Sequence, residues 1–142
     1  MMNVLEVIKK IAKSYAEVIQ TKSSEMSGTE LNTEKTFIPN FNATRQYLNY
    51  PIGYICKSSE GRVVKLVQPY DSNIYTQQPE ELPAHWGFVW SKEAEHALPY
   101  VSIATSPFNT GECCTENDIV YRSTIDNNVW SPSSYPQGWE RV

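Results

Sequence analysis

Two stretches of this chain repeat one set of anchors in the same order. Tyr50, Gly53 and Cys56 stand as aromatic-x-x-Gly-x-x-Cys, and so do Phe108, Gly111 and Cys114. An apolar-rich run follows each, Val63-Val64-Lys65-Leu66 in the first and Ile119-Val120-Tyr121-Arg122 in the second. Each series then closes on Pro-x-x-Trp-x-x-Val, at Pro83, Trp86 and Val89 and again at Pro136, Trp139 and Val142. Self-similarity of this kind points to two copies of one supersecondary unit. Gly53 to Trp86 is longer than Gly111 to Trp139, so the extra residues belong to a loop around Tyr70 to Gln78. The expected modules are residues 36–92 and 98–142. Below about 60 residues a core buries little apolar surface, so the two are expected to pack on each other or to oligomerise.

The strand candidates within them are Gly53 to Lys57, Val63 to Gln68, Gly87 to Trp90, Tyr100 to Ala104, Glu112 to Thr115, Ile119 to Ser123 and Trp139 to Val142. All are short and separated by Pro, Gly and Asn. Glu60-Gly61 and Glu116-Asn117-Asp118 supply turn residues between neighbours, which predicts two hairpins. Nine Tyr, four Trp and four Phe among 142 residues, with only 20% charged, mark a chain that folds.

Ahead of the modules the period changes. Val4, Ile8, Ile11, Tyr15 and Val18 recur at alternating steps of four and three, which predicts a helix from about Asn3 to Lys22, within residues 1–22. Leu5, Ala12, Ala16 and Ile19 widen its apolar seam. Such a seam either packs on its own domain or associates with copies of itself. Residues 23–35, rich in Ser, Thr, Glu and Asn, lack apolar periodicity and read as a polar linker. The expected fold class is therefore α+β, mainly β: one N-terminal helix, then two small antiparallel β modules.

Several functions are disfavoured. A net charge of −4, with no basic stripe beyond Lys9, Lys10 and Lys13, offers nothing to a polyphosphate, so no nucleic-acid partner is expected. Glu6, Lys9 and Lys10 interrupt the first apolar stretch, which predicts neither a signal peptide nor membrane insertion and a start in the cytoplasm. Cys56, Cys113 and Cys114 are odd in number and do not read as a disulfide scaffold. His85 and His96 stand singly, so neither metal nor other cofactor is expected. Glu80-Glu81 and Glu93/Glu95 have the residue type of glycosidase acids and bases, yet consecutive acids on a Pro-rich loop read as solvated. No nucleophile context or phosphate loop occurs, and the expectation is a non-enzyme.

The C-terminal stretch carries a more specific pattern. Phe108-Asn109-Thr110-Gly111-Glu112, the run Ile119-Val120-Tyr121-Arg122-Ser123, a polar loop with Pro132 and a closing Trp139 together resemble the carbohydrate-binding modules of bacterial chitinases, families 5 and 12. Glu112 stands where that family commonly has Asp, and the paired tryptophans of its chitin-binding members are missing. Asp126-Asn127-Asn128-Val129-Trp130-Ser131-Pro132 followed by Tyr135-Pro136-Gln137-Gly138-Trp139-Glu140 is similar to small tail-region proteins of phages and prophages of Gram-positive bacteria. The resemblance implies a structural or host-attachment protein of the virion or a tail-like particle. Its partners would be other tail proteins, cell-wall glycan and further copies of itself through the helix. A free-standing chitin- or peptidoglycan-binding module accessory to a hydrolase is the alternative. Sugar recognition works by stacking a pyranose face on a rigid exposed ring. Trp130 is the first candidate, Tyr121 or Tyr135 the second ring, and Trp139 is expected in the core.

Overall fold

The computed structural model describes residues 2–142. Its first element is a helix, α1 (Val4–Lys22), started by a reciprocal cap: Glu6 N–H donates to Asn3 Oδ1 at 2.8 Å, and Asn3 N–H to the Glu6 carboxylate at 3.2 Å. Among the described residues no helix is long and apolar enough to cross a membrane.

The stretch expected to be a linker is not one. Ser27 and Glu30 form a second reciprocal cap, at 3.1 and 3.2 Å, and start a short helix, α2 (Gly28–Thr33). Leu31 within it is wholly buried beside Ile19, Ile38, Ile55 and Val63. Asn32 Nδ2 donates to the Gly28 and Val89 carbonyls, which ties α2 to the first module. The fit is tight at Gly28, where a Cβ would stand 2.4 Å from the Trp90 carbonyl oxygen. One buried leucine overrides the polar composition that surrounds it.

Two sheets follow. The first contains β1 (Ile55–Lys57), β2 (Val63–Leu66) and β3 (Trp86–Phe88) in antiparallel order. The second contains β4 (Leu98–Pro99), β5 (Cys113–Glu116), β6 (Ile119–Ser123) and β7 (Trp139–Arg141) in that order. This is the expected α+β class, a helix ahead of two small sheets, with both hairpins where the turn residues lie. Asn117 and Asp118, both at positive φ, make the two-residue turn of the second hairpin.

The two meanders repeat one another bond for bond. Gly53 N–H donates to Leu66 O at 2.7 Å and Gly111 N–H to Ser123 O at 2.8 Å; both glycines sit near φ +93°, where other residues are strained. Leu66 returns a bond to Tyr54 O, as Ser123 does to Glu112 O. Val67 N–H reaches His85 O, as Thr124 N–H reaches Gly138 O. The anchors read from the sequence therefore occupy corresponding places.

Antiparallel pairing is not universal, a departure from the expected modules. β4 runs parallel to β5, Leu98 opposite Cys114, and Asn40 makes a parallel bridge to Lys57 at the corresponding place in the first module. Tyr100 to Ala104 is accordingly not a strand. Proline cannot donate to a ladder, and Pro99 lies in the edge strand, where that loss is harmless. In each module the chain thus enters alongside the first hairpin strand before turning back.

One core serves both sheets. Phe88 stacks on Trp90 at 5.7 Å, Trp90 on Phe108 at 4.2 Å, and Phe108 meets Trp139 edge-on at 5.3 Å. These rings continue into Tyr47, Tyr70 and Trp86 as a single buried cluster. Trp139 is in the core, as expected. Arg62 adds a polar tie: it is buried, its guanidinium reaches Glu80 at 2.8 Å, and it donates to the Pro99 carbonyl at 2.7 Å. Glu80, expected to be solvated, is the structural partner of that arginine.

Candidate functional site

The loop joining β6 to β7 is built around Asn128. Fully buried, Asn128 exchanges two backbone bonds with Phe108, and its Nδ2 donates to Ser123 Oγ and Gly138 O at 3.0 Å each. Its Oδ1 accepts from Trp130 N–H at 3.3 Å. The Tyr100 hydroxyl donates to the Val129 carbonyl, and the Trp139 indole N–H donates to Trp130 O at 3.0 Å. Beyond the tryptophan, the Glu116 carboxylate accepts from both the N–H and the hydroxyl of Ser133. Trp130 is thus fixed by its own backbone on both sides while its side chain projects, 47% exposed.

Tyr135 lies beside it, ring centroids 5.0 Å apart and planes tilted by 45°. Its ring rests over Gly138, where a Cβ would come within 2.8 Å of it. Two of the three sequence candidates are therefore brought together, an exposed Trp130 against a half-buried Tyr135. Tyr121 is half-buried and packs against the core cluster from β6; among the described residues no ring contact joins it to the other two. Asn128, which the sequence places with Pro132 in the loop that carries Trp130, is the residue that holds that loop. An Asn followed by a bulky residue and a Ser-Pro turn carried that signal, since short polar side chains commonly bond their own backbone two residues on.

The helix seam is bare. Val4, Ile8, Ile11, Tyr15 and Val18 are between 41% and 76% exposed, and Ile19 is the buried residue of α1. The residues that widen the seam divide: Ile19 is buried against the domain and Ala12 and Ala16 are half-buried, while the four-three row stays largely exposed. The helix is held by its C-terminal end instead. Gln20 uses its side-chain amide as a strand would, donating to Ile55 O at 2.6 Å and accepting from Ile55 N–H at 2.9 Å along the edge of β1 that Asn40 bridges at Lys57. Tyr15 meets Phe37 edge-on at 4.6 Å.

The titratable groups are arranged for structure. Burial holds the Glu112 carboxyl above its ordinary range, while the Thr110 N–H bonded to Asp126 holds that carboxyl below it. Unequal carboxyls can divide acid and base roles, but Glu112 accepts from Asn109 N–H at 2.6 Å and Asp126 from Thr110 N–H at 3.0 Å, so both cap the same loop. Glu93, Glu95 and His96 bring potential ligand atoms within 4.8 Å of one another, on the solvated surface.

All three thiols are free and buried, and burial pushes Cys56 and Cys114 up to about 12 from an ordinary value near 9. Tyr47 is likewise raised to about 12 from 10. A raised value means the folded state keeps its proton longer than the unfolded chain. The stability due to these groups is intact below about pH 9 and falls between about pH 9 and 12 as the unfolded chain ionises first. Urea midpoints measured from pH 7 to 11 are expected to hold up to pH 9 and then fall. Thiol titration of the native protein at pH 8 is expected to be slow, with fast reaction in denaturant; rapid native labelling of Cys56 or Cys114 would contradict the burial argument.

No family model matches the chain, and no curated protein matches it.

Proposed function

We propose that the protein is a non-enzymatic structural component of a phage or prophage tail, assembled through α1 and presenting its modules to host-wall glycan or to neighbouring tail proteins. The bare seam of α1 carries this reading. Val4, Ile8, Ile11 and Val18 are each more than half exposed, and of the row only Tyr15 meets a ring of the body, at Phe37; exposed apolar rows of that kind mark association sites. Self-association suits it, because the charged residues Glu6, Lys9, Lys10, Lys13 and Glu17 all fall outside the four-three row. Several copies on one particle would raise weak glycan contacts to useful avidity. The exposed Trp130, beside the half-buried Tyr135 on its pinned loop, supports glycan contact, and the resemblance of Tyr100 to Val142 to chitinase-type modules supports the setting.

The alternative, a free-standing glycan-binding module accessory to a hydrolase, draws on the same ring pair but has no use for the seam. Sedimentation equilibrium of the purified full chain separates the two. A stable multiple of the 16.2 kDa chain mass at micromolar concentration is the expected result. A monomer under those conditions would overturn assembly through α1 and leave the free-standing module as the better reading.

A further inference from the structure

The loops that join the second and third strands of the two meanders share a feature beyond the repeat of their strands. In the second module Trp130 is followed by a turn in which the Ser131 carbonyl accepts from both Ser134 and Tyr135 N–H, at 3.2 and 3.0 Å. In the first, Tyr70 is followed by a turn in which the Asp71 carbonyl accepts from both Ile74 and Tyr75 N–H, each at 3.0 Å. The third-strand tryptophan donates its indole N–H to the residue ahead of the turn in both, Trp139 to Trp130 O and Trp86 to Tyr70 Oη, each at 3.0 Å. Tyr70 thus corresponds to Trp130 and Tyr75 to Tyr135.

The correspondence breaks in one informative way. Tyr70 is sunk into the core and cannot present its face, whereas Trp130 projects. The longer loop of the first module supplies another ring at the surface: His85 stands 5.2 Å from Tyr75 with planes tilted by 43°, against 5.0 Å and 45° for Trp130 and Tyr135. Tyr75 is 44% exposed and His85 half-exposed. His85 is oriented by its Nδ1, 3.1 Å from the Gln68 carbonyl, a bond in which only the nitrogen can donate. The turn under Tyr75 is also pinned. The Asp71 carboxylate accepts from Gln46 Nε2 and Asn73 N–H at 2.9 Å each, and the bond from Gln46, then that from Asn73, holds its carboxyl below the ordinary range.

We infer that Tyr75 and His85 form a second glycan-contact platform, on the first module, equivalent to Trp130 and Tyr135 and taking the same class of ligand, the C–H face of a pyranose in an N-acetylhexosamine polymer. This rests on the glycan reading of Trp130 given above. Two pinned ring pairs at corresponding loops make each chain bivalent along a polymer, so loss of one pair removes the avidity as well as half the sites.

The test uses the full chain with two probes, the soluble hexamer of N-acetylglucosamine for site counting and insoluble chitin and Gram-positive peptidoglycan for retention. The wild type is expected to bind two hexamers per chain, Tyr75→Ala and Trp130→Ala one each, and the double variant none. Retention on the polymers is expected to fall roughly tenfold or more in either single variant, a fraction of the gain two linked sites provide. Tyr75→Phe, which keeps the ring, is expected to bind as the wild type. Both positions are exposed, so unfolding midpoints should not move, and a Tyr75→Ala variant with an altered midpoint is replaced by His85→Ala. One hexamer per wild-type chain, with Tyr75→Ala unchanged and Trp130→Ala inactive, overturns this inference and leaves the glycan reading of Trp130 standing. A wild type that binds neither probe overturns both.

Discussion

Replacing Ile8 and Ile11 together with aspartate is expected to leave a folded monomer. Both residues are more than half exposed in the single chain, so the change removes little intramolecular packing. Its intramolecular penalty is limited to helix propensity, about 0.5 kcal/mol per position. The intermolecular effect is much larger. Burying an isoleucine side chain contributes about 1.5–3 kcal/mol, so two positions amount to about 3–6 kcal/mol per chain, before any repulsion between the introduced carboxylates. At about 1.4 kcal/mol per factor of ten, association is weakened on the order of a hundredfold or more. Lys13→Asp, outside the row, is the matched control and should sediment as the wild type. Retained circular dichroism with loss of the multimer is the supporting outcome; an undisturbed multimer would show that the seam is not the contact. Residues 15 to 20 should be left intact in any truncation, because Tyr15, Ile19 and Gln20 hold the helix to the body.

Trp86→Ala is expected to destabilise the whole chain by about 3–5 kcal/mol, the range for removing a large aromatic from a packed core. Trp86 has no exposed surface and lies edge-on to Tyr47 at 5.2 Å and to Phe41 at 5.7 Å. Its removal also leaves the Tyr70 hydroxyl without its indole donor. Domains of ordinary size are stable by only about 5–15 kcal/mol, so the variant should melt far below the wild type or fail to fold at 37 °C. The decisive observation is the shape of the transition. Because one buried cluster takes in Trp86 and Phe88 of the first sheet, Val64 and Leu66, and Trp90, Phe108 and Trp139, both sheets are expected to unfold together, with fluorescence and far-ultraviolet circular dichroism tracing one curve. Two separated transitions would mean that each module has a core of its own.

Local patterning foretold a good part of this fold. The four-three row of Val4 to Val18 fixed α1, and its boundaries agree because Asn3 and Glu6 are a cap that needs only each other. Asn117 and Asp118 specified a turn that few other residue pairs adopt. The same reasoning was available for Ser27 and Glu30, a second reciprocal cap hidden by the polar residues around it, and it would have replaced the linker with α2. The candidate site was partly legible. Trp130 and Tyr135 are five apart on a Ser-Pro turn and meet there, whereas Tyr121 sits on a strand whose faces are set by a partner strand.

What the sequence by itself determined was therefore whatever depends on a few neighbouring residues: the helix and its cap, the hairpin turns, the repeated anchors and the closing tryptophans. Only the tertiary structure decided which surfaces those elements keep. It left the α1 seam bare while burying Leu31, sank Tyr70 where its counterpart Trp130 projects, and laid Leu98–Pro99 parallel to β5. The physical reason is one of range. Caps and turns are closed by bonds between residues two to four apart, but burial is a sum over atoms brought together from distant parts of the chain, and a residue's own neighbours carry no record of that sum.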